Sequence, residues 1–297
     1  MNNKLRLIFA LTLVSFASPL GIVLWRTFAS HEPYWWPWIH GSALLFLLVI
    51  TLIQPMLRPL RRFASIIVIL FLMGYGGGWD WGLIPFIRST EIWISWLNTA
   101  PVALYEITFH LLRLTPAMII FIFLLITQRK RSDFFLIRGN THAIVGQSRL
   151  LGTKKPEPWI KIALIFASIF ATGTVIFILG THGIQWDVST VDWSLIPIAI
   201  LVAIMNGFNE EFTLRAAPLG ELEPAIGKSN SLLVATAYFG LGHYYGTPSG
   251  AIGVLLSGFL GWFLGKSMLE TRGFSIAWLV HFITDIPIFL FFIVGGI

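Results

Sequence analysis

The segment LIPIAILVAIMNGFNEEFTLRAAPLG, Leu195–Gly220, runs for eleven residues without a polar side chain and then places Glu210, Glu211 and Arg215 within six positions. Eleven helical residues span only about 16 Å, roughly half of a bilayer's hydrocarbon core. An ionised side chain at that depth costs about 2.5–3.5 kcal/mol or more. Such groups persist only if they are paired or have a task. Glu211 and Arg215 are four apart and share a helix face, so they can pair. Glu210 is turned about 100° from Glu211 and points elsewhere. One carboxylate is then held while the other stays free for acid–base work. A plainer reading keeps all three groups in water at a helix end.

The rest of the chain decides that the surroundings are lipid. Hydrophobic residues make up 56% of its 297 positions and charged ones only 11%. A soluble domain carries about 25% charge, and this chain has too little polar surface to cover a core of its size. Nine stretches are long and apolar enough to be read as spans: 7–25, 39–57, 63–86, 101–127, 160–180, 194–214, 231–246, 248–265 and 274–295. The predicted fold is an all-α polytopic transmembrane bundle of about eight to nine spans. The first stretch continues through GIVLW to Arg26, which favours a retained span over a cleaved signal.

Lys and Arg set the expected orientation. With the N-terminus in the cytoplasm, Lys4, Arg6, Arg58, Arg61, Arg62, the Arg129–Lys161 block, Lys228, Lys266 and Arg272 fall inside. Only Arg26 and Arg88 fall outside. Trp35, Trp36, Trp38, Trp79, Trp81, Trp186 and Trp193 gather near outer ends. The net charge of +6 then fits basic loops against anionic lipid head groups rather than nucleic acid. The chain divides into N-terminal helices of unassigned role (1–127), a basic cytoplasmic loop (128–159) and a C-terminal core (160–297). It has no cysteine, so disulfides and thiolate chemistry are excluded.

Two later helices repeat the pattern of the first. AYFGLGHYYG places Phe239 and His243 one turn apart, and WLVHFITDIP does the same for His281 and Asp285. Asp285 can accept from an imidazole N–H and set its tautomer. Glu106, His110 and Arg113 form another ladder, expected to be interfacial or structural. Asp80, Asp187 and Asp192 are expected in outer loops. His40, His142 and His182 are scattered and expected at the surface or interface. GYGGGWDWG (74–82) lacks the Gly-Lys-Ser/Thr ending of a phosphate loop.

In order, EEFTLR, FGLGH and HFITD match Glu-Glu-x-x-x-Arg, Phe-x-x-x-His and His-x-x-x-Asn/Asp. The chain therefore resembles the CPBP (CAAX protease and bacteriocin-processing, or Abi) family of intramembrane proteases, related to the Rce1-type prenyl-protein endopeptidases. The resemblance covers roughly 194–290. It implies hydrolysis of a peptide bond in a membrane-associated protein or peptide. Glu210 would be the general base on a water, helped by His243. His281 with Asp285 would stabilise the oxyanion, and Glu211, Arg215 and Phe239 would support them. Two departures stand out. Asp285 replaces a common Asn, and an ionised aspartate cannot donate to an oxyanion. Leu214-Arg215-Ala216 replaces a common Phe-Arg-Gly. No His-Glu-x-x-His motif is present. No cofactor is favoured, although Glu210, His243 and His281 are a possible two-histidine, one-carboxylate zinc set. A non-catalytic scaffold or immunity-type regulator and an ion-coupled transporter are the rival functions. The expected location is a prokaryotic cell membrane.

Overall fold

The structure, a computed structural model, describes residues 2–75, 81–148, 150–153, 155–182, 191–246 and 249–294. Trp79, Asp80, Trp186, Asp187 and the side chain of His182 lie outside the described residues. Among those residues there is no strand, only an isolated bridge between Ile144 and Pro158. The helices in the first part are α1 (Asn2–Ala17), α2 (Leu20–Ala29), α3 (Trp36–Ile53), α4 (Arg61–Met73), α5 (Leu83–Arg88), α6 (Glu91–Thr99), α7 (Val102–Arg113) and α8 (Thr115–Ile126). After the basic loop come α9 (Trp159–His182), α10 (Ile196–Glu211), α11 (Ala217–Ile226), α12 (Lys228–Gly242), α13 (Gly250–Thr271) and α14 (Ser275–Phe289).

The fold is a polytopic helical bundle. Phe46 is 66% exposed, Ile126 74% and Ile176 66%, each on a long apolar helix. Water would penalise such faces, whereas lipid does not. Six helical stretches among the described residues are long and apolar enough to cross a membrane, and a seventh is possible where two helices join at a 62° bend. Nine were expected, and the difference has local causes. The bent pair is α1 with α2, broken at Ser18-Pro19. In the 63–86 stretch α4 ends at Met73, with Gly74 at a left-handed φ of 70°, and the described helix resumes only at Leu83 in the short α5. The 231–246 stretch is α12, whose 15 residues rise about 22 Å.

The 194–214 stretch, in contrast, does not stop where expected. Helix continues from Trp193 to Ile226, through a widened π turn at Phe212–Ala216. Pro218 explains the widening: it has no N–H to offer, and in a regular helix its ring would strike the Leu214 carbonyl. Thr213 Oγ1 donates to the Asn209 carbonyl (2.6 Å), occupying an acceptor within the same turn. Gly227, at φ 81°, then reverses the chain into α12.

Close crossings hold the C-terminal helices together. α12 packs on α13, and α14 packs on α9 and α10. A Cβ on Gly240 would lie 2.8 Å from the Val254 carbonyl oxygen and 3.1 Å from Gly258 Cα, both backbone atoms that cannot swing aside. Gly240→Ala is therefore expected to lower unfolding stability by about 1–3 kcal/mol, read as a lower melting midpoint in detergent. An unchanged midpoint would mean that α12 and α13 are not this close.

The basic residues of the first helices bind one end of this core. Arg6 donates to the Met56 and Ala225 carbonyls, and Arg62 to that of Thr127. Arg129 Nε donates to the buried Glu221 carboxylate (2.7 Å), and Arg272 pairs with Glu223. His40, expected near the surface, is buried instead. Its Nδ1 lies 3.0 Å from the Phe16 carbonyl, and Trp25 Nε1 donates to its Nε2 at 3.4 Å. The bend between α1 and α2 brings these partners to α3.

Candidate active site

Gly227 places the first two motifs at one depth. Glu210 is 17 positions before it and His243 is 16 after, on helices that run in opposite directions. This removes the mismatch that arises if the 194–214 stretch ends where its apolar run ends. The third motif is brought in at Gly207, where a Cβ would meet the Phe282 backbone nitrogen at 3.3 Å. That close approach sets His281, the residue before Phe282, against Glu210 and Glu211.

The result is a single cluster. Glu210 Oε2 lies 3.8 Å from His243 Nε2 and 3.7 Å from His281 Nε2. These gaps are too long for good direct hydrogen bonds, yet one small polar ligand about 2.8 Å from each atom would fit between them. His243 Nδ1 donates to the Phe239 carbonyl (2.8 Å), since a carbonyl can only accept. In the neutral ring this leaves an Nε2 lone pair facing Glu210. His281 Nδ1 sits 2.7 Å from Glu211 Oε1, so Glu211 fixes that ring. Asp285 was expected to set the tautomer. Its Oδ1 is instead 3.5 Å from His281 Nε2, and its Oδ2 accepts from Asn206 Nδ2 at 2.9 Å.

Glu211 and Arg215 pair within their helix and are both wholly buried. Among the described residues Glu211 Oε2, Arg215 Nε and Arg215 Nη2 have no hydrogen-bond partner. The Arg215 guanidinium is covered on one side by the Phe239 ring, 4.2 Å from its centre, which supplies a cation–π contact. Phe239 also meets the His243 ring (4.3 Å between centroids) and the His281 ring edge-on (6.1 Å). Gly261 makes room for it, because a Cβ there would approach Phe239 Cδ1 to 3.0 Å.

Burial separates two layers. The Glu211 and Arg215 side chains are 0% exposed, whereas Glu210 is 12% and His243 25% exposed. The outer layer can therefore meet another molecule, while the inner layer is sealed.

Glu210 is not free, contrary to expectation. Arg113 Nη2 donates to its Oε1 at 3.2 Å. Arg113 comes from α7, 97 residues upstream, so no local spacing reveals the pair. The Glu106–His110–Arg113 ladder, expected to be interfacial or structural, also touches the site. His110 is buried with Nδ1 on the Glu106 carbonyl, and Arg113 reaches the carboxylate cluster. The loop after His243 is fastened from α2: Arg26 donates to Tyr245 Oη (3.1 Å) and makes a two-point pair with Glu32 (2.7 Å each).

Residues 192–287 match the family model described as type II CAAX prenyl endopeptidase Rce1-like. The matched segment is about a third of the chain, and within it the chain is similar to that family. The helices long and apolar enough to cross a membrane mark the chain as an integral membrane protein. No curated protein and no solved structure matches the chain.

All seven motif residues fall inside the Rce1-like segment, and so do Asn206 and Asn209. Arg113 and Tyr75 do not. Tyr75 accepts from Asn209 Nδ2 at 2.6 Å. The asparagines were legible in principle: Asn206 is four before Glu210, on the same face. Among the described residues no group of three His, Asp or Glu side chains is arranged to hold a metal ion. The Arg113 cation also competes with a dication for the Glu210 carboxylate, so the residues present do not fit the zinc set well.

A separate cleft of about 860 Å³, lined by Trp81, Phe86, Arg88 and Trp93 among others, contains none of these site residues. It approaches them through Phe109, whose ring has Arg88 at 4.8 Å and Arg113 at 5.9 Å.

Proposed function

We propose that this protein is a glutamate-type intramembrane endopeptidase acting on a prenylated or otherwise membrane-anchored peptide, with no metal in the hydrolytic step. The observation that carries this is the Glu210 carboxylate, reachable from outside, with one oxygen facing two imidazole Nε2 atoms at 3.7 and 3.8 Å.

In this mechanism a water donates to Glu210 Oε2 and to the His243 Nε2 lone pair. As its oxygen adds to the scissile carbonyl carbon, a proton passes to Glu210. The carbonyl π electrons move onto oxygen, and His281, carrying protons on both nitrogens, donates from Nε2 to that oxyanion. Glu211 holds the other side of the ring, so the donor is already aimed. The intermediate collapses, the C–N bond breaks, and Glu210 returns the proton to the leaving amine. Asp285, held by Asn206, orients and balances the charge of His281. It need not donate, which accommodates aspartate at this position.

The basic end of the bundle, with Arg6, Arg62, Arg129 and Arg272 gathered around α11, suits the cytoplasmic side by the excess of Lys and Arg expected there. Exposed Arg58 and Arg61 on that side suit anionic lipid head groups. The N-terminus, which carries Lys4 and Arg6, lies there too.

The test uses purified protein in lipid vesicles with a fluorogenic farnesylated Cys-aliphatic-aliphatic-X peptide. Cleavage is expected, and prior treatment with EDTA or phenanthroline should leave its rate within about twofold. Loss of activity to chelator, restored by zinc, would overturn the metal-free mechanism.

A further inference from the structure

Arg113, which donates to Glu210 Oε1, comes from the N-terminal helices; within the Rce1-like segment Asn206 also lies against this carboxylate. Terminal carboxylate torsions are broad and roughly two-fold, so an unheld Glu210 would turn readily and present either oxygen, or neither, to the histidines. Arg113 Nη2 takes Oε1 at 3.2 Å and leaves Oε2 toward His243 and His281. The guanidinium is itself held. The rings of Tyr75 and Phe109 each lie 5.9 Å from its central carbon. Tyr75 is buried and tied to Asn209, the residue before Glu210. Arg113 sits at the junction of α7 and α8, inside one helical stretch from Val102 to Ile126. Thr115 and Pro116 then start α8 directly after it.

We propose that Arg113 is the positioning residue for Glu210, and that Tyr75 and Phe109 form its seat. The helices before the basic loop are then a working part of the site rather than an anchor for it. The idea rests on Glu210 being the base, so Glu210→Gln is measured beside every variant.

The expected result has two readouts. With the farnesylated reporter, Arg113→Gln should lower kcat about 30- to 100-fold, the scale of an ångström-sized misplacement, with KM within about threefold. Arg113→Lys should recover kcat to within about fivefold of wild type. In infrared spectra, the Glu210 carboxylate band is isolated by subtracting the Glu210→Gln spectrum. It should shift clearly in Arg113→Gln and less in Arg113→Lys. This arm needs no substrate and decides the matter if the reporter is not cleaved.

The proposal is overturned if the band stays in place in Arg113→Gln, if that variant turns over within threefold of wild type, or if lysine restores nothing. Should Arg113→Gln not fold, Phe109→Leu, which keeps the charge and loosens its seat, must lower kcat severalfold at constant KM. If Glu210→Gln is inactive while the Arg113 variants match wild type, only the positioning role fails. If Glu210→Gln is fully active, the hydrolytic reading itself fails.

Discussion

Glu210→Gln is expected to reduce kcat by about 100- to 10,000-fold while leaving KM nearly unchanged, the range assigned to a lost general base. The substitution keeps the shape and keeps an oxygen for Arg113, so the site should remain assembled. What it removes is the ability to take a proton from water and return it to the leaving amine. The measurement is turnover of the farnesylated reporter by wild-type and variant protein of equal melting midpoint. A variant that still turned over at a tenth of the wild-type rate or better would remove Glu210 from the chemistry. A scaffold or regulator would show the opposite pattern, with an associated phenotype that survives the change.

The second large effect concerns stability. Glu211 and Arg215 are both sealed from outside, and each carries a full charge that the other compensates. Arg215→Met should cost about 3–5 kcal/mol, because it removes the in-helix partner of a carboxylate sealed from water. His281 still touches Glu211, but it then has to serve that charge alone. The double variant Glu211→Leu/Arg215→Met should recover most of the loss, since an apolar pair of similar volume fits an apolar setting. It should not recover turnover, because the acceptor that fixes His281 Nδ1 is gone. Unfolding midpoints in detergent measure the first two statements, and the reporter measures the third. A single variant as stable as wild type would show that the pair is reached by water after all.

These two outcomes separate roles that look alike in the sequence. EEFTLR holds two adjacent glutamates with nothing local to rank them except helical geometry, which gives Arg215 to Glu211. The burial difference, 12% against 0%, agrees with that assignment and makes Glu210 the reachable one. The pairing was thus readable from spacing alone. That Glu210 also has a cation was not, because Arg113 lies on a different helix.

Composition and apolar run length alone determined the all-α polytopic class, since a chain with so little charge has only lipid to cover it. Helical periodicity put Glu211 with Arg215, Phe239 with His243 and His281 with Asp285, because residues four apart share a face. Tertiary structure decided everything that depends on how separate helices meet. The π turn before Pro218 lets the Glu210 helix run on to Ile226, which matches its depth to His243. The close approach at Gly207 brings His281 to Glu211 rather than leaving Asp285 to fix its tautomer. The N-terminal bundle delivers Arg113 and Tyr75. None of these follows from a one-dimensional pattern, because each depends on where two backbones come within van der Waals contact, and that is set by the packing of the whole bundle.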